Sequence, residues 1–346
     1  MVEKMEKEAI FYHAIAQHAA GSYADISRLK KNFASWEEAY RAAPDLQNTP
    51  SPETAYKKLR ERGISLVLKE DPQYPPLLRE IPHPPFGIYI KGMPPDNDQL
   101  TIAIVGTRRA TPDGKSTARR FATELARAGI SIASGLAFGI DAAAHEGCLD
   151  AGGRTIAVLA CGLANIYPRN NESVARKILA QGGAIISEYP PDMPAYPSRF
   201  LERNRIISGV SKGTLVIESP ERSGSLATAR FAFEQNRDVF VVPGGIAHPN
   251  FKGSNRLIRQ GAELVTCTED VLESYGILKE KADASLSAGT PEERTILKFL
   301  AGCSEAADID KIIDMTKLEP RIANQTVSTL YIKGMIKELG DGYMLN

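Results

Sequence analysis

Hydrophobic and polar positions change period several times along the chain. From about Glu6 to Arg62, Ala, Ile and Leu recur at helical spacing, interrupted at Gly21, at Pro44 and around Pro50 to Pro52. This predicts a small helical domain over residues 1–70. A proline-rich connector follows from Asp71 to Pro95, with Pro75-Pro76 and Pro84-Pro85. From Leu100 the pattern alters. Short β-branched or apolar runs at Thr101–Val105, Ile130–Ala133, Thr155–Leu159, Ala184–Ser187, Thr214–Ile217, Asp238–Val242 and Glu263–Val265 alternate with amphipathic segments. Strands that alternate with helices predict a parallel sheet covered on both faces, within a domain over 71–277. Residues 278–290 lack apolar periodicity and read as a linker. In 291–346, Glu292–Leu300, Ala307–Met315 and Arg321–Gly334 predict three helices, and Met335–Leu339 can pair with Gly342–Leu345. That order suggests a winged helix.

Composition narrows the function. With 346 residues, 43% apolar and 24% charged, the chain has the make-up of a globular protein of two or three units. No apolar run approaches the ~20 residues of a membrane helix, and Met-Val-Glu-Lys-Met-Glu-Lys lacks the apolar stretch of a signal peptide, so a cytoplasmic protein is expected. Cys148, Cys161, Cys267 and Cys303 are far apart and read as buried thiols. Basic and acidic residues balance at 42 each, so any nucleic-acid site must be a local patch. The 291–346 segment carries 7 basic against 9 acidic side chains, and its third helix offers only Arg321 and Lys333. Contact with protein is therefore favoured there over contact with DNA.

The candidate chemistry gathers at expected strand ends, where α/β sheets place ligands. The first is Gly106-Thr107-Arg108-Arg109, a turn that could seat a phosphate or serve only as a strand-to-helix turn. The second, Ser134-Gly135-Leu-Ala-Phe-Gly139-Ile-Asp141, precedes small residues that would let phosphate reach helix amides. Asp141 and His145, one helical turn apart, lack a third ligand and read as capping or core hydrogen bonders rather than a metal pair. Phe200, Arg203, Asn204 and Arg205 follow Arg199 in one short segment. Arginine can chelate phosphate and phenylalanine can stack on a base; the alternative is a core aromatic beside a solvated basic face. Arg222-Ser-Gly224-Ser225 places hydroxyls and amides at another helix start, and Gly244-Gly245 and Asn255 add polar groups to the same edge. Gly114-Lys115-Ser116 resembles the end of a P-loop, but the position of its first glycine is Arg109, and no Gly-x-Gly-x-x-Gly is present. No ATP or NAD site and no catalytic nucleophile is indicated.

Taken in order, Gly-Thr-Arg108, Ser-Gly-Leu-Ala-Phe-Gly-Ile-Asp, Arg203-Asn-Arg-Ile-Ile-Ser-Gly, Gly-Ser-Leu-Ala-Thr-Ala and Pro-Gly-Gly resemble the DNA-processing protein A family, DprA or Smf, from about Tyr74 to Glu273. Thr107 stands where that family usually has serine. The resemblance implies an α/β fold class. An extended Rossmann-like parallel-sheet core would be flanked by an N-terminal helical domain of SAM or helix-hairpin-helix type and a C-terminal winged-helix domain of DML1 type. It also implies a homodimer that binds single-stranded DNA in a basic pocket, engages RecA and mediates recombination during natural transformation, with no catalysis, cofactor or metal. By motif, Arg108 is the pocket arginine, and Gly135, Phe200, Arg203, Asn204, Arg205, Gly224, Ser225 and Asn255 are its neighbours. Two rival readings are a nucleotide hydrolase of the phosphoribohydrolase type, suggested by Pro243-Gly244-Gly245, and a scaffold with a vestigial pocket. The first is weakened because Ile246-Ala-His-Pro-Asn replaces that family's continuation.

Overall fold

A computed structural model describes residues 2–43, 51–95, 98–277, 289–303, 306–340 and 342–345. The expected linker at 278–290 lies largely outside the described residues, as do Pro44 and Pro50. The chain divides into two compact units, Met1–Asp270 and Val271–Asn346.

The first unit opens with helices α1 (Val2–His18), α2 (Tyr23–Asn32), α3 (Trp36–Arg41) and α4 (Pro52–Glu61). Ser22, Ser35 and Ser51 cap α2, α3 and α4 with side-chain oxygens that accept amide hydrogens of the first turn, and Pro52 fits the opening position, where no amide is needed. Strand β1 (Ile64–Leu68), helix α5 (Pro76–Arg79) and strand β2 (Gly87–Gly92) come next. Neither strand is in the sequence expectation, which reads this region as helix and connector. The prolines are the reason: they flank β2 instead of interrupting it, so a buried strand is enclosed by turn signals.

The remaining elements alternate as expected: β3 (Thr101–Val105), α6 (Pro112–Arg127), β4 (Ser131–Ser134), α7 (Ile140–Asp150), β5 (Thr155–Val158), α8 (Glu172–Ala180), β6 (Ala184–Ser187), α9 (Pro197–Gly209), β7 (Gly213–Val216), α10 (Gly224–Glu234), β8 (Asp238–Val241), α11 (Lys252–Arg259), β9 (Glu263–Leu264) and α12 (Thr268–Ser274). They form one nine-stranded sheet in the order β1-β2-β6-β5-β4-β3-β7-β8-β9. The seven strands from β6 to β9 are parallel, and β2 joins β6 antiparallel with Tyr89 opposite Ser187. The chain winds outward from β3 to β6, crosses back through α9, and continues from β7 to β9. The crossing makes β3 and β7 neighbours and creates the Rossmann-type switch point, where loops leaving their carboxyl ends diverge and open a crevice.

The core lies on both faces of the sheet. On one face Tyr12, Ile15, Trp36 and Leu59 from the N-terminal helices pack with Leu66, Tyr89, Leu159 and Ile185. His13 Nδ1 meets the Tyr89 hydroxyl at 2.9 Å, and burial lowers the imidazole pKa to about 4. On the other, Ile88, Val105, Ile206, Ile207, Val216 and Val241 close around α9. No helix among the described residues is long and apolar enough to cross a membrane.

The second unit contains α13 (Pro291–Ala301), α14 (Ile309–Thr316), α15 (Pro320–Ile332) and a hairpin of β10 (Ile336–Leu339) with β11 (Gly342–Leu345). Thr290 and Glu293 form a reciprocal capping box at the start of α13. Ile296, Leu300, Ile312, Val327, Leu330 and Ile336 make a separate apolar core.

Candidate nucleic-acid interface

Thr107 to Thr111 leave β3 at the switch point, and Glu218, at the end of β7, fixes their path. The Thr107 amide donates to the Glu218 carbonyl at 2.7 Å. The fully buried Glu218 carboxylate accepts the Thr111 amide at 3.0 Å, the Thr111 hydroxyl, and the Asn250 side-chain amide at 2.9 Å. Thr111 Oγ1 in turn caps α6 by accepting the Gly114 amide at 2.9 Å. A small hydrogen-bonded knot therefore leaves Arg108 and Arg109 exposed at the crevice. Glu218→Ala removes the acceptor of three part-buried donors, of which the Asn250 amide keeps the Arg109 carbonyl, at about 1–3 kcal/mol in all. It is expected to lower stability in that range and raise amide exchange over residues 106–111, as read by hydrogen-exchange mass spectrometry; unchanged exchange there would remove Glu218 from this role.

The opposite wall is α9. Phe200, Arg203, Asn204 and Ile207 stand at positions i, i+3, i+4 and i+7, one helix face, and all line a cavity of about 690 Å³ with Arg108, Arg109 and Arg222. The Phe200 ring packs against two cations. The Arg108 guanidinium carbon lies 4.8 Å from its centroid and that of Arg203 lies 5.9 Å away. Tyr167, from the loop after β5, meets Phe200 edge to face at 5.7 Å.

Arg203 is buried and anchored. Its Nη1 donates to the Gly135 carbonyl at 2.8 Å and to the Val158 carbonyl, and its Nε to Asn204 Oδ1 at 3.2 Å. Gly135 is required for this approach, because a Cβ there would lie 2.8 Å from the Arg203 guanidinium and 2.7 Å from the Asp141 carboxylate. Burial lowers the Arg203 pKa to about 10, with Asp141 opposing the fall and the Arg108 charge adding to it; the side chain remains cationic at neutral pH. Asp141 Oδ2 accepts the Gly135 amide at 3.1 Å and the Ala137 amide at 3.4 Å, while His145 Nδ1 pairs with the Thr155 hydroxyl at 2.7 Å. His145 lies fully buried with its Nε2 unpartnered among the described residues, while the largely buried Asp141 contributes to the lining of the cavity.

The third wall is the start of α10. Ser223 caps the helix, and Ser225 Oγ shares hydrogen bonds with Ser219 and Ser223 at 2.8 and 2.7 Å. Asn204 Nδ2 reaches the Gly224 carbonyl at 3.1 Å and ties this wall to α9.

Of the nine residues singled out in the sequence, Arg108, Phe200, Arg203, Asn204, Gly224 and Ser225 line the cavity, and Gly135 lines a smaller recess of about 30 Å³ behind Phe200. Two stand elsewhere. Arg205 points to the other side of α9, where both Glu188 oxygens accept its Nη2 at 2.6 Å and Tyr23 covers the guanidinium at 5.4 Å. Asn255 clamps Gly244, donating to its carbonyl at 2.9 Å and accepting its amide at 3.3 Å. The cavity also holds Arg109, Tyr167 and Arg222, which are not among the nine. Arg222 directly precedes the hydroxyl-glycine motif and was legible as part of it; Tyr167 belongs to no motif.

An electroneutral chain thus concentrates four arginines around one crevice, faced by an aromatic ring and a hydrogen-bonded cluster of hydroxyls. Residues 65–276, more than half of the chain, match the family described as DNA recombination-mediator protein A. The chain belongs to the DNA recombination-mediator protein A family. Among curated members of this mediator family, protein Smf of Escherichia coli K12 is 44% identical over 216 residues, which are 62% of this chain and 58% of that protein. The match thus spans less than two thirds of that relative's length. Among solved structures, DNA processing protein A from Streptococcus pneumoniae superposes with a TM-score of 0.61 at 31% identity, covering 79% of this chain and 96% of that one. DNA processing protein A from Helicobacter pylori, described for its single-stranded DNA binding mode, gives 0.54 at 33% identity over 61% and 95% of the two chains. The large, mostly parallel sheet of this chain thus belongs to a fold it shares with both proteins.

Proposed function

We propose that this chain is a non-catalytic recombination mediator that grips single-stranded DNA in the switch-point crevice and passes the strand to RecA. The observation that carries this reading is the Phe200 ring set against the Arg108 and Arg203 guanidinium groups. A base can stack on such a ring while arginine contacts the phosphates on either side, and each stacked base contributes about 1–3 kcal/mol. Arg109, Arg222 and the α10 hydroxyls supply further phosphate donors. Duplex DNA keeps its bases stacked inside and cannot offer one to Phe200, so the single strand is preferred. A homodimer would place two crevices on one flexible strand and raise the effective concentration of the second without tightening either. The fold and charge of residues 291–346 fit a winged helix turned to protein contact, and the whole protein is assigned to the cytoplasm.

The test is fluorescence anisotropy of labelled single-stranded and duplex oligonucleotides across a salt series, with the unaltered chain and Arg108→Ala. Expected are preference for the single strand, a loss of about 0.7 log units of affinity per phosphate contact per log unit of salt, and weakening of at least about tenfold by Arg108→Ala. Equal binding of both DNAs, or none, would sink the reading. RecA filament growth on protein-coated single strands, with and without this chain, tests the transfer step separately.

A further inference from the structure

Beside the Arg108 loop a second recess of about 270 Å³ opens between α6 and α7, and Phe138 stands between it and the small recess behind Phe200, lining both. Lys115, Ser116 and Arg119 line one side, and Phe138, Ala142 and Glu146 line the other. Phe138 is 45% exposed, a large ring presented to solvent in a loop whose neighbours Leu136 and Ile140 are fully buried. Its turn is locked to the Arg108 loop. Gly139 has φ of 80°, and a Cβ there would sit 2.3 Å from the Thr107 carbonyl oxygen and 2.8 Å from that of Arg108, so the two backbones touch. The Ile140 amide donates to the Thr107 carbonyl at 3.3 Å and completes the junction. The crevice and the recess therefore share one wall.

The charges in the recess are unequal. Arg119 is paired with Glu146 and with Asp150, which satisfies both carboxylates. Lys115 is exposed and makes no ion pair among the described residues. What remains open is one ammonium group beside one bare aromatic face over small residues, Ala142 and Ala143. A protein partner anchored here would require several apolar side chains, and Phe138 is the sole large one in the lining. A base and its phosphate need only a ring and a cation.

We propose that the single strand leaving the crevice crosses the Arg108 loop and continues into this recess, where a base stacks on Phe138 and the adjoining phosphate pairs with Lys115. This extension rests on the reading of the crevice as a single-strand site. It makes the binding track longer than the switch-point cavity and assigns it a second stacking platform.

The chain has a single tryptophan, Trp36, which is buried, so Phe138→Trp adds an exposed indole as a reporter. With the full chain, oligothymidylates of about 16 nucleotides should quench this added emission strongly, whereas those of about 4 nucleotides, held in the crevice and reaching only the near edge of the ring, should quench it less. Phe138→Ala should remove on the order of tenfold of the affinity gained between the two lengths. Lys115→Ala should reduce the salt slope for the longer strand by about 0.7. The track is overturned if the longer strand binds Phe138→Trp without quenching, or if Phe138→Ala retains the full length dependence. Those results alongside a normal loss in Arg108→Ala overturn the extension alone; an unaltered chain that binds neither length overturns both readings.

Discussion

Glu188→Ala should cost about 3–5 kcal/mol of folding stability, the largest single loss expected in the first unit. Arg205 and Glu188 are 8% and 5% exposed, and both carboxylate oxygens accept the same guanidinium nitrogen. Burial works against both charges: the Glu188 carboxylate outweighs it at Arg205 and holds the guanidinium pKa above its ordinary value, whereas at Glu188 burial outweighs Arg205 and lifts the carboxyl above its usual range. Arginine cannot escape by losing a proton, so removing the carboxylate leaves a charge stranded between α9 and the Tyr23 ring. Unfolding in urea followed by Trp36 fluorescence reads this unit directly. The midpoint should fall with an unchanged slope, and the double variant Glu188→Leu with Arg205→Met should recover most of the loss. A deficit below about 1 kcal/mol would mean that water reaches Arg205 and that the pair does not hold α9 in place.

Arg203→Met is expected to weaken single-strand binding by more than about tenfold and to destabilise the chain in a pH-dependent manner. Methionine fills similar space but makes none of the hydrogen bonds to Gly135, Val158 and Asn204. It also removes the cation facing Asp141. Burial already lifts the Asp141 carboxyl above its usual range, against Arg203, the Ala137 and Gly135 amides and Arg108. Without Arg203 the carboxyl rises further. A group whose folded pKa is raised contributes stability that is fully present below its unfolded value, about 3.9, and is lost as pH rises through the folded value. The deficit of Arg203→Met should therefore be smallest near pH ~4 and grow toward neutrality. Burial and then Arg203 hold the His145 pKa down to about 3, so losing Arg203 also relaxes this imidazole and adds to the acid end of the same profile. Adding Asp141→Asn should flatten the profile; a deficit independent of pH would show that Asp141 keeps its charge by another route.

The strands β3 to β8 were legible because each is almost wholly buried, so uninterrupted apolar runs betray them. β1 and β2 escaped because one short strand after a helical run and another enclosed by prolines look like helix end and connector. At the site, the motif around Phe200 was readable as chemistry but not as direction. Counting by helical period separates its residues: 200, 203, 204 and 207 share a face, and 205 lies behind them. Arg205 has the same chemistry as Arg203, and only the geometry of α9 turns one toward the crevice and the other toward Glu188. Asn255 shows a second limit, since a polar side chain beside glycines can serve the loop itself. Tyr167 was invisible for a third reason, because the fold alone brings its loop against Phe200.

The antiparallel seam between β2 and β6 also governs the order in which the chain can be completed. During synthesis the N-terminal helices, β1 and β2 emerge first, yet the partner that Tyr89 pairs with, Ser187, is made only after β3, β4 and β5. Until then one edge of β2 and the apolar underside of Tyr12, Trp36 and Leu59 lack the sheet that covers them. The nascent chain must carry that sticky surface through most of the making of the central sheet. A ribosome stalled just before β6 would therefore hold this seam open, whereas β6, once made, covers it and leaves the face around α9 and the β3 edge as the surface still to be closed.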